Sequence, residues 1–193
     1  LIQNGLGWAV SPTYGGWGGR YQYYKAYGES RPIWTNNQDS RDCVTAQSGH
    51  TECTDMATIW RWRKHFQHDF AARMDWCVAP RYTDANHNPV AILNGDISKS
   101  PVELTVMPNQ KVRLTSEGSY DPDQNAIKQA WFVYKEAGTY IGELTLQEES
   151  AGVVTFTAPE VSKPCTIHVI LIVEDTGIPS LVAYRRAVVT VNP

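Results

Sequence analysis

Long hydrophobic runs are missing from this sequence. The longest, such as residues 169–173, have five residues, whereas a membrane-crossing helix needs about 20. A helical membrane span is therefore not expected. An excess of one charge is missing too. Seventeen Lys and Arg stand against 20 Asp and Glu, giving a net charge of −3 and a pI near 5.9. That balance argues against a general nucleic-acid binder, which carries a basic surface. No nucleophile elbow, phosphate-cradling glycine loop, zinc-type cysteine pattern or specific paired-carboxylate motif occurs. There is no initiating Met and no signal peptide. The chain opens at Leu1, as expected of a piece of a longer precursor.

What is abundant is apolar and aromatic material. Hydrophobic residues make up 42% of the chain, with 7 Trp, 10 Tyr and 4 Phe, enough to bury a core and to exclude a disordered chain. The aromatics are unevenly spread. Residues 1–82 hold six of the seven Trp and carry a net charge of +2, while residues 83–193 carry −5. The join, Pro80-Arg81-Tyr82-Thr83-Asp84-Ala85-Asn86-His87-Asn88-Pro89, is polar and bracketed by prolines, which is linker composition.

Residues 83–193 read as all-β. Apolar or β-branched runs fall at 90–93, 102–107, 111–115, 127–134, 143–146, 153–157, 166–173 and 181–191, separated by turn clusters such as Asp121-Pro122-Asp123. This spacing predicts an immunoglobulin-type β-sandwich with Trp131 in its core. The run 167–173 is apolar on both faces, so it is either a central strand or covered by the first half.

The first half is mostly aperiodic, and Gly15-Gly16-Trp17-Gly18-Gly19-Arg20-Tyr21 is read as loop. One helix is expected from about Asp55 to Cys77. Met56, Ile59, Trp60, Arg63, Phe66, Phe70, Met74 and Cys77 recur at spacings of three and four, predicting a buried face. Arg61, Lys64, His65 and His68 fall on the opposite face.

The segments Gln3-Asn4-Gly5-Leu6-Gly7, Gly15-Gly16-Trp17-Gly18-Gly19-Arg20-Tyr21, Ala57-Thr58-Ile59-Trp60-Arg61-Trp62-Arg63 and Asp69-Phe70-Ala71-Ala72-Arg73-Met74-Asp75-Trp76 carry a resemblance. Together they resemble the C-terminal portion of bacterial cellulose-binding proteins that have a nucleoside-hydrolase-like N-terminal domain. The stretch 86–191 looks like that family's C-terminal domain, and Ser119-Tyr120-Asp121-Pro122-Asp123 is similar to a turn of PKD-type immunoglobulin-like domains. The resemblance implies an α+β chain. Residues 1–82 would be the C-terminal tail, loop plus long helix, of an α/β nucleoside-hydrolase-like domain, and 83–193 an immunoglobulin-like sandwich. It also implies a large α/β part before Leu1. A calcium ion that activates water would sit in that missing N-terminal part, because no Asp-x-Asp pair precedes residue 121 here. No cofactor is expected in this chain.

Three functions compete on this reading. The first is a secreted or periplasmic carbohydrate-associated protein that binds cellulose or a related glycan. The second is one wall of a glycosidic-bond hydrolase of nucleoside-hydrolase type. The third is a scaffold that touches no ligand. Expected partners are a glycan or small molecule and the chain's own N-terminal domain. This chain alone is not expected to be catalytic, and catalysis by the parent is left open.

The residues offer specific candidates. Glycines let the backbone approach a neighbour closely, so Trp17 can stack on a sugar while Arg20 and Tyr21 supply hydrogen bonds. The same loop can instead pack Trp17 inward and pair Arg20 with an acid. Tyr21, Tyr23, Tyr24 and Tyr27, extended by Trp34, can form a sugar platform or merely cover the helix. Glu29 and Asp39 are acids that sequence cannot separate from surface charge. His65 and His68 have metal-compatible spacing but lack a third ligand and stand beside Arg61 and Lys64. Asp121, Asp123 and Asn125 suit a hard cation, yet the same residues make a turn and supply three of the six or more oxygens required. Cys43 and Cys53 bracket a short polar loop and are expected to form a disulfide. Cys77 and Cys165 can each be a lone buried thiol, and their pairing is left open.

Overall fold

The computed structural model describes residues 3–7, 11–25, 28, 30–31, 33–37 and 43–193. Tyr27, Glu29 and Asp39 lie outside the described residues.

Strands and turns alternate along much of the described chain. Two small antiparallel hairpins come first: β1 (Tyr21–Tyr24) with β2 (Ile33–Asn36), and β3 (Cys43–Thr45) with β4 (Thr51–Cys53). Cys43 and Cys53 face each other across the second hairpin and are disulfide-bonded. A non-reduced digest analysed by mass spectrometry is expected to yield the cross-linked peptide. Two free thiols there would contradict the structure.

Two helices follow, α1 (Ala57–Trp60) and α2 (Arg63–Val78). Seven strands then form two sheets. One has the order β5 (Val102–Val106), β11 (Val182–Val191), β10 (Cys165–Asp175), β7 (Ile127–Val133). The other has the order β6 (Lys111–Thr115), β9 (Val153–Thr157), β8 (Gln147–Ser150). β5 runs parallel to β11, and the other pairings are antiparallel.

Side chains alternate across a strand, so each strand of the larger sheet has two faces. Ile167, Val169, Ala187, Val189 and Val191 point to the smaller sheet and pack with Val112, Leu114, Val154 and Phe156. Half-buried Trp131 packs against this interior. The opposite face carries Phe132, Ile170, Ile172, Val182 and Tyr184, and the first half of the chain covers it with Leu6, Trp17, Trp62 and Phe66. Strand β10 is thus both central and covered, which explains its doubly apolar sequence. No helix among the described residues is long and apolar enough to cross a membrane.

The helix differs from its sequence reading in two ways. It breaks between Trp60 and Arg63, and its inward face is rotated. Trp62, Phe66, Asp69, Ala72 and Trp76 turn inward, whereas Phe70 is 64% exposed and Met56, Trp60, Met74 and Cys77 are exposed as well. The physical reason is that polar residues on the inward face find partners. Asp69 pairs with Arg73 at 2.6 Å and accepts from Asn4. Arg61 pairs with Glu136 at 2.6 Å, with its guanidinium over the Tyr134 ring at 5.2 Å. Apolar spacing alone does not report such partners.

Candidate functional site

The glycine-rich segment turns tightly between Gly16 and Gly19, where the Gly19 N–H donates to the Gly16 carbonyl at 3.0 Å. Gly15 has φ +79°, and a Cβ there would lie 2.4 Å from the Tyr134 hydroxyl and 2.5 Å from Arg20. Gly5 has φ +88°, and its Cβ would lie 2.1 Å from the Tyr184 carbonyl oxygen. Both positions exclude a side chain because the segment lies directly on the sheet.

That packing turns two of the expected ligand residues inward. Trp17 is buried and donates its indole N–H to the Tyr184 hydroxyl at 3.2 Å. Arg20 is buried and donates to the Glu136 carbonyl at 2.7 Å. Neither reaches a surface in this chain. Of the three, only Tyr21 is exposed, its hydroxyl donating to the Gly18 carbonyl at 3.3 Å.

The chain leaves the loop as β1, and alternation then sorts the side chains. Register pairs Tyr21 with Asn36 and Tyr23 with Trp34. Tyr21, Tyr23, Trp34 and Asn36 therefore share one face; Gln22, Ile33 and Thr35 on the other face are half-buried. Tyr24, expected in the same platform, stands on that other face because alternation turns it away, though it too is exposed. Tyr23 is 48% exposed and Trp34 45%. Their rings meet nearly at right angles, with centroids 5.8 Å apart and planes at 76°. The result is an exposed aromatic step with an amide beside it. Such rings present apolar faces to the C–H groups of a sugar, and Asn36 adds a donor and an acceptor.

The histidines are committed elsewhere. Tyr184 accepts from Trp17, so its hydroxyl proton is free to go to His65 Nδ1, to which it is hydrogen-bonded. Burial lowers His65 to about 4. His168 Nδ1 accepts from Arg186 at 2.9 Å, since arginine offers no acceptor. Burial, reinforced by the Arg186 charge, lowers His168 to about 3. Burial also raises the Tyr184 hydroxyl well above its ordinary range. His68 bonds to the Ser180 carbonyl at 2.9 Å. His65 and His68 thus serve the seam between helix and sheet. Among the described residues, no three His, Cys, Asp or Glu side chains converge as a metal cluster.

Residues 111–191, spanning β6 to β11, match the family model described as "Cellulose-binding protein Sde0182, C-terminal domain". Across nearly its whole length the chain is similar to a solved structure described as a nucleoside hydrolase-related hypothetical protein from Saccharophagus degradans that is associated with carbohydrate metabolism. Identity is 30% and the TM-score 0.78, over 98% of this chain and 45% of that one. The chain therefore spans less than half the length of that protein. A sialyltransferase from Photobacterium damsela matches at 16% identity over 48% of this chain and 17% of its own, with a TM-score of 0.30, too low to relate the folds. No curated protein matches the chain.

Proposed function

We propose that this chain, whose residues 111–191 match a cellulose-binding protein's C-terminal domain, binds cellulose or a related glycan through the outward face of the β1–β2 hairpin. One observation carries the reading: Tyr21, Tyr23 and Trp34 are exposed together on one strand face. Exposed rings gathered on one face mark a binding surface more often than scattered ones do. The carbohydrate association of the similar Saccharophagus degradans protein supports the ligand class.

The angle between the rings narrows the ligand. A flat crystalline face is matched by coplanar rings, whereas rings at 76° wrap one glycan chain from two sides. Trp17 and Arg20 instead fasten the glycine-rich loop to the sandwich, through Tyr184 and the Glu136 carbonyl. A hydrolytic pocket wall built on those two side chains gains no support from their burial. The disulfide supports a secreted or periplasmic setting, because such bonds persist in oxidising compartments.

Retention on amorphous cellulose tests the proposal. Trp34→Ala and Tyr23→Ala are each expected to weaken binding at least about tenfold, or 1.4 kcal/mol. Their exposed positions predict a melting temperature within about 2 °C of the parent chain, since surface changes cost little. Unchanged retention in both variants would refute the assignment.

A further inference from the structure

Two carboxylates lie buried where the linker meets the sandwich. Asp121 is 8% exposed and Asp175 2%. One oxygen of each is fully engaged. Asp121 Oδ1 accepts from the backbone N–H groups of Asp123 at 2.9 Å and Asn125 at 3.0 Å. Asp175 Oδ1 accepts from Asn86 Nδ2 at 3.1 Å, Gly177 N at 2.8 Å and Leu181 N at 3.1 Å. The second oxygen of each, Oδ2, is buried and meets no hydrogen-bond donor.

The two acids belong to one polar cluster. Asn125 Nδ2 donates to Asn86 Oδ1 at 2.9 Å, and Asn86 in turn donates to Asp175. Asp175 is raised above the ordinary carboxylate range mainly by burial, with a contribution from the Asp121 charge. Neither acid forms an ion pair with Lys, Arg or His among the described residues. Two like charges removed from water with unpaired oxygens are costly unless a cation joins them.

We propose that Asp121 Oδ2, Asp175 Oδ2 and the Asn86 side-chain oxygen bind a calcium ion between the 119–125 turn and the β10–β11 connection. The donors are all oxygen, which suits a hard cation. Asn86 Oδ1 keeps a second lone pair for this role. Asp123 stands at the rim, where its carboxylate accepts from the His87 backbone N–H at 2.6 Å. Water and nearby carbonyls complete the six to eight oxygens that calcium takes. An open cleft of about 510 Å³, lined by Asn86, Asp123, Asn125 and Gly177 but by neither Asp121 nor Asp175, lies beside the cluster. The ion would fasten the linker to the sandwich, because Asn86 belongs to one and Asp121 and Asp175 to the other.

Terbium luminescence on the full chain tests the site. Trp76 donates its indole N–H to the Asn86 carbonyl at 2.7 Å, which places a sensitiser beside the ion. Saturable terbium emission is expected, displaced by calcium and much less by magnesium. Calcium at about a hundredfold excess over its Kd should raise Tm by about 5–10 °C relative to EDTA. Asp121→Asn and Asp175→Asn should each abolish both effects. If a variant does not fold, the terbium titration of the unmodified chain decides. Absent emission overturns the proposal, as does a Tm rise reproduced by potassium chloride at matched ionic strength. So does an Asp175→Asn chain that is as stable as its parent and still responds to calcium, or one whose parent is indifferent to calcium.

Discussion

Trp62→Ala is expected to lower stability by about 3–5 kcal/mol, the range for removing a large buried aromatic. Trp62 is 2% exposed and sits where the helical segment meets the sheet. Its ring lies 5.6 Å from Tyr184, 5.7 Å from Phe132 and 6.1 Å from Tyr134. Truncation would open a void that none of these rigid rings can fill. In a chain of this size the loss corresponds to a fall in Tm of about 6–20 °C. Phe70→Ala, one face away on the same helix, is expected to cost less than about 1 kcal/mol, because surface substitutions change stability little. Chemical denaturation of the two variants checks both values. A larger loss for Phe70 than for Trp62 would mean that the helix face is misassigned.

The second large effect is acid sensitivity. His65 is lowered to about 4 and His168 to about 3, in both cases chiefly by burial. An unfolded histidine titrates near 6.5. Between that value and the folded one, the unfolded chain binds more protons, so stability falls as the pH is lowered. The stabilisation is fully present above the unfolded value. It is lost between 6.5 and about 4 for His65 and between 6.5 and about 3 for His168. Each histidine adds a slope of up to about 1.4 kcal/mol per pH unit. Asp175, which is raised, works in the opposite direction: between its raised folded value and the ordinary carboxylate value the folded chain binds more protons, so lowering the pH through that window adds stability. The chain is expected to lose about 2–4 kcal/mol between pH 7.5 and 5. His168→Gln should flatten that slope by about half. A stability independent of pH across this interval would contradict the buried neutral state of both rings.

The β-sandwich was legible where local pattern and packing agree. The runs 111–115 and 153–157 coincide with β6 and β9, whose alternating residues face a single core. The run 127–134 ends one residue beyond β7, and 90–93 makes isolated bridges to Tyr120 and Asp96 instead of a strand. Strand β8 was not legible. Its sequence, Gln147-Glu148-Glu149-Ser150, is wholly exposed, and it is a strand only because β9 supplies backbone hydrogen bonds. The expected run 143–146 lies just before it and is not strand.

The helix face was misread for a related reason. Spacing counts apolar residues, but Asp69 and Arg61 are accommodated by distant partners such as Asn4 and Glu136. At the candidate site, glycine density marked the turn, yet sequence alone left two demands open, ligand approach and packing. Only contact of Gly15 with Tyr134 and of Gly5 with Tyr184, more than 100 residues away in sequence, distinguishes them. The aromatic platform was partly legible, since Tyr21, Tyr23 and Trp34 were all candidates; the β1–β2 register adds which rings share a face. The link between Asp121 and Asp175 had no sequence signal, because it depends on where β10 ends against the 119–125 turn.

The central claim, a glycan face on the β1–β2 hairpin, is tested most directly by mapping where a soluble cello-oligosaccharide touches the chain. In an NMR titration, the Trp34 indole N–H and the amides of Tyr21, Tyr23 and Asn36 are expected to shift together with one Kd, while Trp62 and the 111–157 strands stay unmoved. Shifts confined to another surface, or none at concentrations where amorphous cellulose retains the chain, would contradict the account.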